Sequence, residues 1–326
     1  MRTFRFPHKL RQIPAQMHHH RIAAIERTPQ LQAQATGLMY LSQICHRDVR
    51  SWLVAIKSVA QVVGPGEFTV LDDGTLTKND YKLLRRHVEG LRILPIVAVP
   101  MEGVPSGGCW ERLMAILGLC SDYYVVQVDA DVVVNLPLGE VTAAIAANRA
   151  FTLSGEQGAM VTTACEAAEQ AKLVSYSHVQ IAAEQLLDQM PDAHALRYAR
   201  GCAGFAGFPR CVSPMTITSF SNFMRQHLGD RWSAWGSEQV ASNFLIANSG
   251  TDPLILPWHR FPAFGLSRDT SQAALIHFVG CHRYESGVYT RMSKAAIRRL
   301  LGKTSIFRPA LFALKLGKQG LERAQA

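Results

Sequence analysis

The 326-residue chain has no apolar run approaching the ~20 residues that a membrane-spanning helix needs, and no apolar stretch of signal-peptide length at its N-terminus. It also lacks any C-x-x-C pair. Its seven cysteines (Cys45, Cys109, Cys120, Cys165, Cys202, Cys211 and Cys281) are odd in number and widely spaced. That argues against a disulfide framework or a zinc site and for reduced thiols in a cytoplasmic protein. Charged residues are few, at 18%, but no polar low-complexity tract occurs and 48% of the chain is hydrophobic. Global disorder is excluded and a real core is expected. No internal repeat is present. No nucleic-acid motif occurs and the aromatics do not interleave with the basic runs, so nucleic acid is not an expected partner.

Acidic residues are almost missing from the two ends, where the formal net charge of +9 is concentrated. Residues 1–35 read as a basic leader broken by Pro7, Pro14 and Pro29; its triplet His18–His20 reads as an exposed, incidental run. Residues 297–326 mix basic and apolar side chains. A terminal helix packed on the domain is the plain reading. The alternative is an amphipathic segment resting on an anionic membrane, which would place the protein at the inner face.

From Thr36 onward strands and helices alternate. Strands are expected over 37–44, 67–71, 94–99 and 123–128, with helices over 47–63, 77–88 and from Gly107-Gly108 to about Leu119. Thr77 and Asp80 have capping-box spacing. Such alternation implies right-handed crossovers and a mostly parallel α/β sheet flanked by helices. Ligands of such sheets bind beyond the carboxyl ends of the strands, here Cys45–Asp48, Asp72–Thr75, Pro100–Gly103 and Asp129–Asp131. Further on, helices are expected over 138–147, 164–190, 216–228 and 238–248, an irregular glycine-rich segment over 199–209, and a short strand over 275–279.

Asp129-Ala130-Asp131 is the strongest single signal. An Asp-x-Asp triplet alone is weak, but this one ends the apolar run YYVVQV and precedes VVV. Carboxylates there need solvent, hydrogen bonds or a cation. Residues i and i+2 share one side of an extended chain, so two hard oxygen donors face one point, which suits Mg²⁺ or Mn²⁺. The competing reading is a pair of aspartates capping the following turn.

The run VVQVDADVVVNLPL resembles the metal-binding segment of GT-A type glycosyltransferases, and other segments resemble that class in the same order. They are Leu71–Thr75, Arg200–Phe208, Trp235–Gln239 with Asn243, and His277–Gly280 with Arg283; the last is similar to the late histidine motif of family 8. The resemblance spans roughly residues 36–300. It implies a GT-A fold with a nucleotide-sugar-binding half over 36–150 and an acceptor-binding half over 151–296. It further implies metal-dependent transfer from a nucleotide-diphosphate sugar, a UDP-sugar above all, to a glycan or lipid-linked acceptor.

Residue by residue, the resemblance makes Asp129, Asp131 and His277 the metal ligands. Gly280 would admit the diphosphate, and Gly204 belongs to the donor-pocket segment. Arg283 stands where the family often has a phosphate-binding lysine, although Tyr284 and Glu285 follow it in place of the family's proline and tryptophan. Asp72 and Asp73 would contact the nucleoside, or form a tight turn. Arg112 would reach the diphosphate, or be a solvated helix arginine. Glu238 is the base, or a plain helix-start acid. Where inverting relatives carry a second carboxylate this chain has Gln239, so either Glu238 itself is the base or the reaction retains configuration and Gln239 supports the transferring sugar. Trp232 and Trp235 would stack on sugar rings or pack in the core. Two alternatives remain: a sugar-nucleotidyltransferase, disfavoured because Cys45-His46-Arg47-Asp48 is not a glycine-rich phosphate loop, and a non-catalytic nucleotide-sugar-binding or membrane-associated protein.

Overall fold

A computed structural model describes residues 8–250, 252–265 and 269–302. The strands are β1 (Leu38–Ile44), β2 (Glu67–Asp72), β3 (Arg92–Pro95), β4 (Tyr124–Val128), β5 (Val132–Val134), β6 (Phe151–Ser154), β7 (Val161–Thr163), β8 (Arg197–Ala199), β9 (Gly201–Phe208), β10 (Leu254–Leu256), β11 (Ala263–Phe264) and β12 (Leu275–Phe278). The helices are α1 (His8–Arg21), α2 (Val49–Val63), α3 (Lys78–His87), α4 (Trp110–Leu119), α5 (Gly139–Ala146), α6 (Ala164–Lys172), α7 (Val179–Glu184), α8 (Pro214–Leu228), α9 (Ser237–Ala247) and α10 (Val288–Leu300).

The main sheet has the order β10-β6-β9-β4-β1-β2-β3. Every pairing in it is parallel except those of β9, which runs antiparallel to both β4 and β6. A smaller sheet, β11-β12-β5, and a β7-β8 ribbon complete the pairing. Alternation along β1 sorts its side chains into two layers. Leu38, Tyr40 and Ile44 pack on the α2 side, whereas Met39 and Leu41 pack toward α4, α8 and α9. Both faces of the sheet are covered, as uninterrupted apolar strands require. The Thr77–Asp80 capping box forms at the start of α3 as its spacing predicts.

Several expectations are corrected. The glycine-rich segment is not irregular: Gly201–Phe208 is an eight-residue interior strand. Its glycines provide space. A Cβ on Gly207 would stand 2.2 Å from the Phe151 ring, and one on Gly204 would stand 2.3 Å from the His277 ring. The single helix expected over 164–190 is two, α6 and α7, separated by 173–178 and followed by a 3-10 turn at Leu187–Gln189. The third strand comes two residues early and ends at Pro95, where a 3-10 turn takes over.

His18 is not exposed. It stacks on Tyr289 of α10 with ring centroids 4.0 Å apart, and its Nδ1 lies 2.9 Å from Thr290 Oγ1. Part of the basic leader is thus fastened to the domain. A second fastening is the fully buried Lys57 of α2, whose ammonium reaches Thr28 Oγ1 at 2.9 Å, His87 Nδ1 at 3.0 Å and the Pro29 carbonyl. Of the C-terminal tail, residues 297–302 end α10 and its turn, while 303–326 lie outside the described residues.

Burial, helped by the neighbouring His19, pushes the His18 imidazole down to about 3, and burial beside Lys57 pushes His87 down to about 4. A histidine whose folded pKa is depressed takes its proton in the unfolded chain first. Stability from these sites is therefore complete above pH ~6.5 and falls by about 1.4 kcal/mol per site per pH unit below it. Urea denaturation at about pH 7.5 and about pH 5.5 is expected to show this loss. His18→Phe, which keeps the stacked ring and removes the proton site, is expected to reduce it by about 1 kcal/mol; an unchanged pH dependence would contradict the assignment.

Candidate active site

The carboxyl edge of the sheet collects the ionisable side chains that the sequence singles out. β4 ends at Val128, and the Asp129 amide donates to the Gly204 carbonyl of β9 at 2.9 Å. The chain then turns into β5, which pairs antiparallel with β12 in a register that sets His277 opposite Val132. The Phe278 amide donates to the Asp131 carbonyl at 2.9 Å. That register carries a histidine from about 150 residues downstream to the side of Asp131. One ligand atom each from Asp129, Asp131 and His277 lies within 4.8 Å of the others.

Two arginines hold this group. Arg112 of α4 is buried, correcting the reading of a solvated helix arginine. Its Nη1 donates to Asp129 Oδ1 at 2.6 Å and its Nη2 to Glu238 Oε1 at 3.3 Å. Arg283 donates to Asp131 Oδ2 and lies 3.6 Å from Asp48 Oδ1, while its Nε donates to the Phe278 carbonyl at 3.2 Å. Each guanidinium thus takes one oxygen of its aspartate, and Asp131 Oδ1 faces His277 Nε2 at 3.3 Å. Four carboxylates (Asp48, Asp129, Asp131 and Glu238) stand against two guanidiniums and the His277 imidazole, which leaves a negative excess even with that ring protonated. Two carboxylates and an imidazole are a donor set for Mg²⁺ or Mn²⁺, and the uncompensated charge fits a cation.

The titration directions follow from the same contacts. Burial raises Asp131, but His277 and Arg283 outweigh it and hold the carboxyl below the usual range. Burial raises Asp129, and Asp131 adds to this against the pull of Arg112. Burial also raises Glu238, again opposed by Arg112 and assisted by Asp129. Burial alone would lower His277, yet Cys202 and Asp131 overcome it and hold the imidazole well above its ordinary value.

His277 is seated by β9. Cys202 and Gly204, two residues apart on one face of the strand, meet its ring: Cys202 Sγ lies 3.3 Å from Nδ1, and the missing Cβ of Gly204 leaves space for the imidazole. Nε2 is left facing Asp131 Oδ1 at 3.3 Å. Gly204 is thus a point of close approach to the histidine ring. Sequence reasoning missed Cys202 and Asp48; the spacing of Cys202 to Gly204 was the available signal, once the segment was known to be a strand.

The remaining expected residues fall as follows. Asp72 forms a turn, accepting from the Gly74 amide at 2.8 Å, and accepts from the Tyr81 hydroxyl at 2.7 Å. Asp73 accepts from the Thr75 amide at 2.9 Å. Both carboxylates sit at the end of β2 on the same edge as the aspartate pair, so the turn reading holds and a nucleoside contact stays compatible with it. Gly280 has φ +51°, with open space where a Cβ would stand. Gln239 Oε1 lies 3.5 Å from the Ala203 amide. Trp232 is core, edge-on to Trp110 and Phe220, whereas Trp235 is 73% exposed.

Because Arg112 neutralises two carboxylates, Arg112→Met is expected to lower the unfolding free energy by about 3–5 kcal/mol, leaving Glu238 buried and unpaired. Adding Glu238→Gln should recover part of that loss. A double variant whose cost equals the sum of the singles in urea denaturation would show that the pair does not interact.

No sequence-family model matches the chain, and no curated protein matches it. Solved structures do. The chain is similar to the bifunctional glycosyltransferase WbbM in its apo form, at 15% identity and a TM-score of 0.50, covering 83% of this chain and 53% of that one. It thus spans about half the length of WbbM. Mouse xyloside xylosyltransferase 1 (9% identity, TM-score 0.43, covering 76% of this chain and 97% of that one) is also similar. So is the galactosyltransferase LgtC with donor and acceptor sugar analogues (14%, 0.41, 79% and 95%). At these identities the likeness is one of architecture: the mixed α/β sheet with its flanking helices is the GT-A fold of glycosyltransferases.

Proposed function

We propose that the protein is a metal-dependent glycosyltransferase of family 8 character, moving a sugar from a nucleotide-diphosphate donor to a glycan or lipid-linked acceptor. The observation that carries this reading is the meeting of Asp129, Asp131 and His277 at the carboxyl edge of the sheet. Asp129, Asp131 and His277 would hold a divalent cation, Mn²⁺ or Mg²⁺, which would supply Lewis-acid stabilisation to a departing nucleoside diphosphate. Arg283, just beyond β12, is engaged by Asp131, Asp48 and the Phe278 carbonyl and so holds Asp131 as Arg112 holds Asp129, while Gly280, with open space at its Cβ position, is the residue at which a diphosphate would approach the backbone. Asp72 and Asp73 at the end of β2 are the residues for the nucleoside. Arg112, with both ends of its guanidinium engaged, acts by holding Asp129 and Glu238 rather than as a free phosphate arm.

Glu238 is the acceptor-side carboxylate. Burial raises its pKa against the pull of Arg112, the direction a base needs; the alternative is a retaining reaction in which Gln239 supports the transferring sugar. The nucleotidyltransferase alternative is disfavoured because β1 leads into a 3-10 turn at His46–Asp48, which lacks the glycine-rich backbone cradle of a phosphate loop. Among the described residues no helix is long and apolar enough to cross a membrane. A cytoplasmic protein, resting peripherally on the inner face of a membrane through its basic ends, fits the charge distribution.

The test is thermal-shift screening of UDP-, GDP-, ADP- and dTDP-sugars with and without Mn²⁺. A ligand at about 100-fold its Kd adds about 2.7 kcal/mol to stability, so a true donor is expected to raise the midpoint only with the metal. Asp131→Ala is expected to abolish both that shift and metal-dependent hydrolysis of the donor. Undiminished hydrolysis in Asp131→Ala would defeat the proposal.

A further inference from the structure

Strand β4 is apolar apart from Gln127, which is 0% exposed and has no part in the reading above. Its Nε2 donates to the Ala203 carbonyl of β9. The Ala203 amide in turn donates to Gln239 Oε1 at 3.5 Å. Two glutamines thus hold the backbone of Ala203, and they do so where β9 departs from its neighbour. Gly201 and Cys202 lie opposite Ser154 and Leu153 of β6, but the next pair is Ala206 with Thr152. Ala203, Gly204 and Phe205 are bulged out of that register. Bulges re-aim the side chains around them and gather beside functional sites. This one begins at Cys202, whose Sγ lies 3.3 Å from His277 Nδ1.

The imidazole gives that contact a consequence for the metal group. A neutral ring has two nitrogens and one proton to place between them. His277 is 7% exposed, so each nitrogen needs a partner inside the protein. Nε2 faces Asp131 Oδ1 at 3.3 Å, and Nδ1 faces Cys202. A proton on Nδ1 is donated to the sulfur, and the Nε2 lone pair is then open to a cation. A proton on Nε2 is donated to Asp131 and occupies two candidate ligand atoms at once. A carboxylate is the stronger acceptor, so with nothing polar beside Nδ1 the second arrangement prevails. The sulfur, a weak acceptor, offsets this by removing the penalty of a buried, unpartnered Nδ1–H.

We propose that Cys202 is a positioning residue: by accepting a hydrogen bond from His277 Nδ1 it keeps Nε2 open to the divalent cation. This rests on the metal-dependent reading above and deepens it. Outer partners of ligating histidines are commonly carboxylates, backbone carbonyls or water; here a thiol, aimed by a bulge that Gln127 and Gln239 hold, takes that place.

The experiment measures Mn²⁺ affinity on the full chain, with and without UDP, from the electron paramagnetic resonance signal of the free ion. Cys202→Ser keeps a polar atom in a smaller side chain. Cys202→Val keeps the bulk without the polar atom, and Cys202→Ala keeps neither. The serine variant is expected to bind Mn²⁺ within about threefold of the unmodified chain, and the alanine and valine variants about ten- to a hundredfold more weakly. Serine as weak as alanine, a loss that spares valine, or no loss in any variant overturns the proposal. Long-range ¹H–¹⁵N spectra of the histidine rings, taken with diamagnetic Mg²⁺, supply a readout that packing alone would not move. They are expected to show His277 protonated on Nδ1 in the unmodified chain and the serine variant, and a shift toward Nε2 in the other two. A proton on Nε2 in the unmodified chain refutes the role. If the unmodified chain binds Mn²⁺ and these differences fail to appear, the role of Cys202 falls and the metal reading stands. If it binds Mn²⁺ in neither condition, both fall together.

Discussion

Asp129 and Asp131 follow a strand whose five residues are all buried, and most of the site follows from the cost of keeping carboxylates there. Each aspartate has one oxygen bound by an arginine from a different part of the chain: Arg112 from the helix before β4, and Arg283 from the turn after β12. Each arginine then recruits a second carboxylate, Glu238 for one and Asp48 for the other. Four distant segments are thereby joined around one point of negative charge. A buried network of this kind contributes little net stability compared with an apolar core, but breaking one member is costly, so it specifies an arrangement.

The arrangement brings one ligand atom each of Asp129, Asp131 and His277 within 4.8 Å of one another. His277 arrives through the β5–β12 register, and its ring is held by what β9 lacks as much as by what it carries. A strand with a side chain at residue 204 could not lie beside that imidazole. Gly201, Gly204 and Gly207 are all inside β9, where glycine ordinarily weakens pairing. Here each marks a close approach, by Asn243 and Thr152, by His277, and by Phe151 with Tyr124. The strand borders the candidate metal group through Cys202 and Gly204 and pairs with β4 on one side and β6 on the other.

The N-terminal helix has a different relation to the site. His18 stacks on Tyr289, and Tyr289 donates to the Ala130 carbonyl at 3.2 Å, inside the Asp-x-Asp turn. A segment that looks like a solvated basic leader is two contacts away from the metal-binding backbone. Its amphipathic character is poor, which is why periodicity reveals little of this: among the described side chains of the helix, the buried one is His18 rather than a stripe of apolar residues.

What the sequence determined alone is the alternation of strands and helices through residue 128, the capped start of α3, and the position of the aspartate pair at a strand end. These depend on local periodicity, turn chemistry and chain direction, which are written in neighbouring residues. The tertiary structure decided the rest. Whether ARGCAGFAGF was loop or strand depended on side chains more than 40 residues away that fill the space its glycines leave. Whether Arg112 was solvated or central depended on Glu238, 126 positions further along, coming to face it. Burial and charge pairing are properties of groups brought together by folding, so no window of sequence contains them.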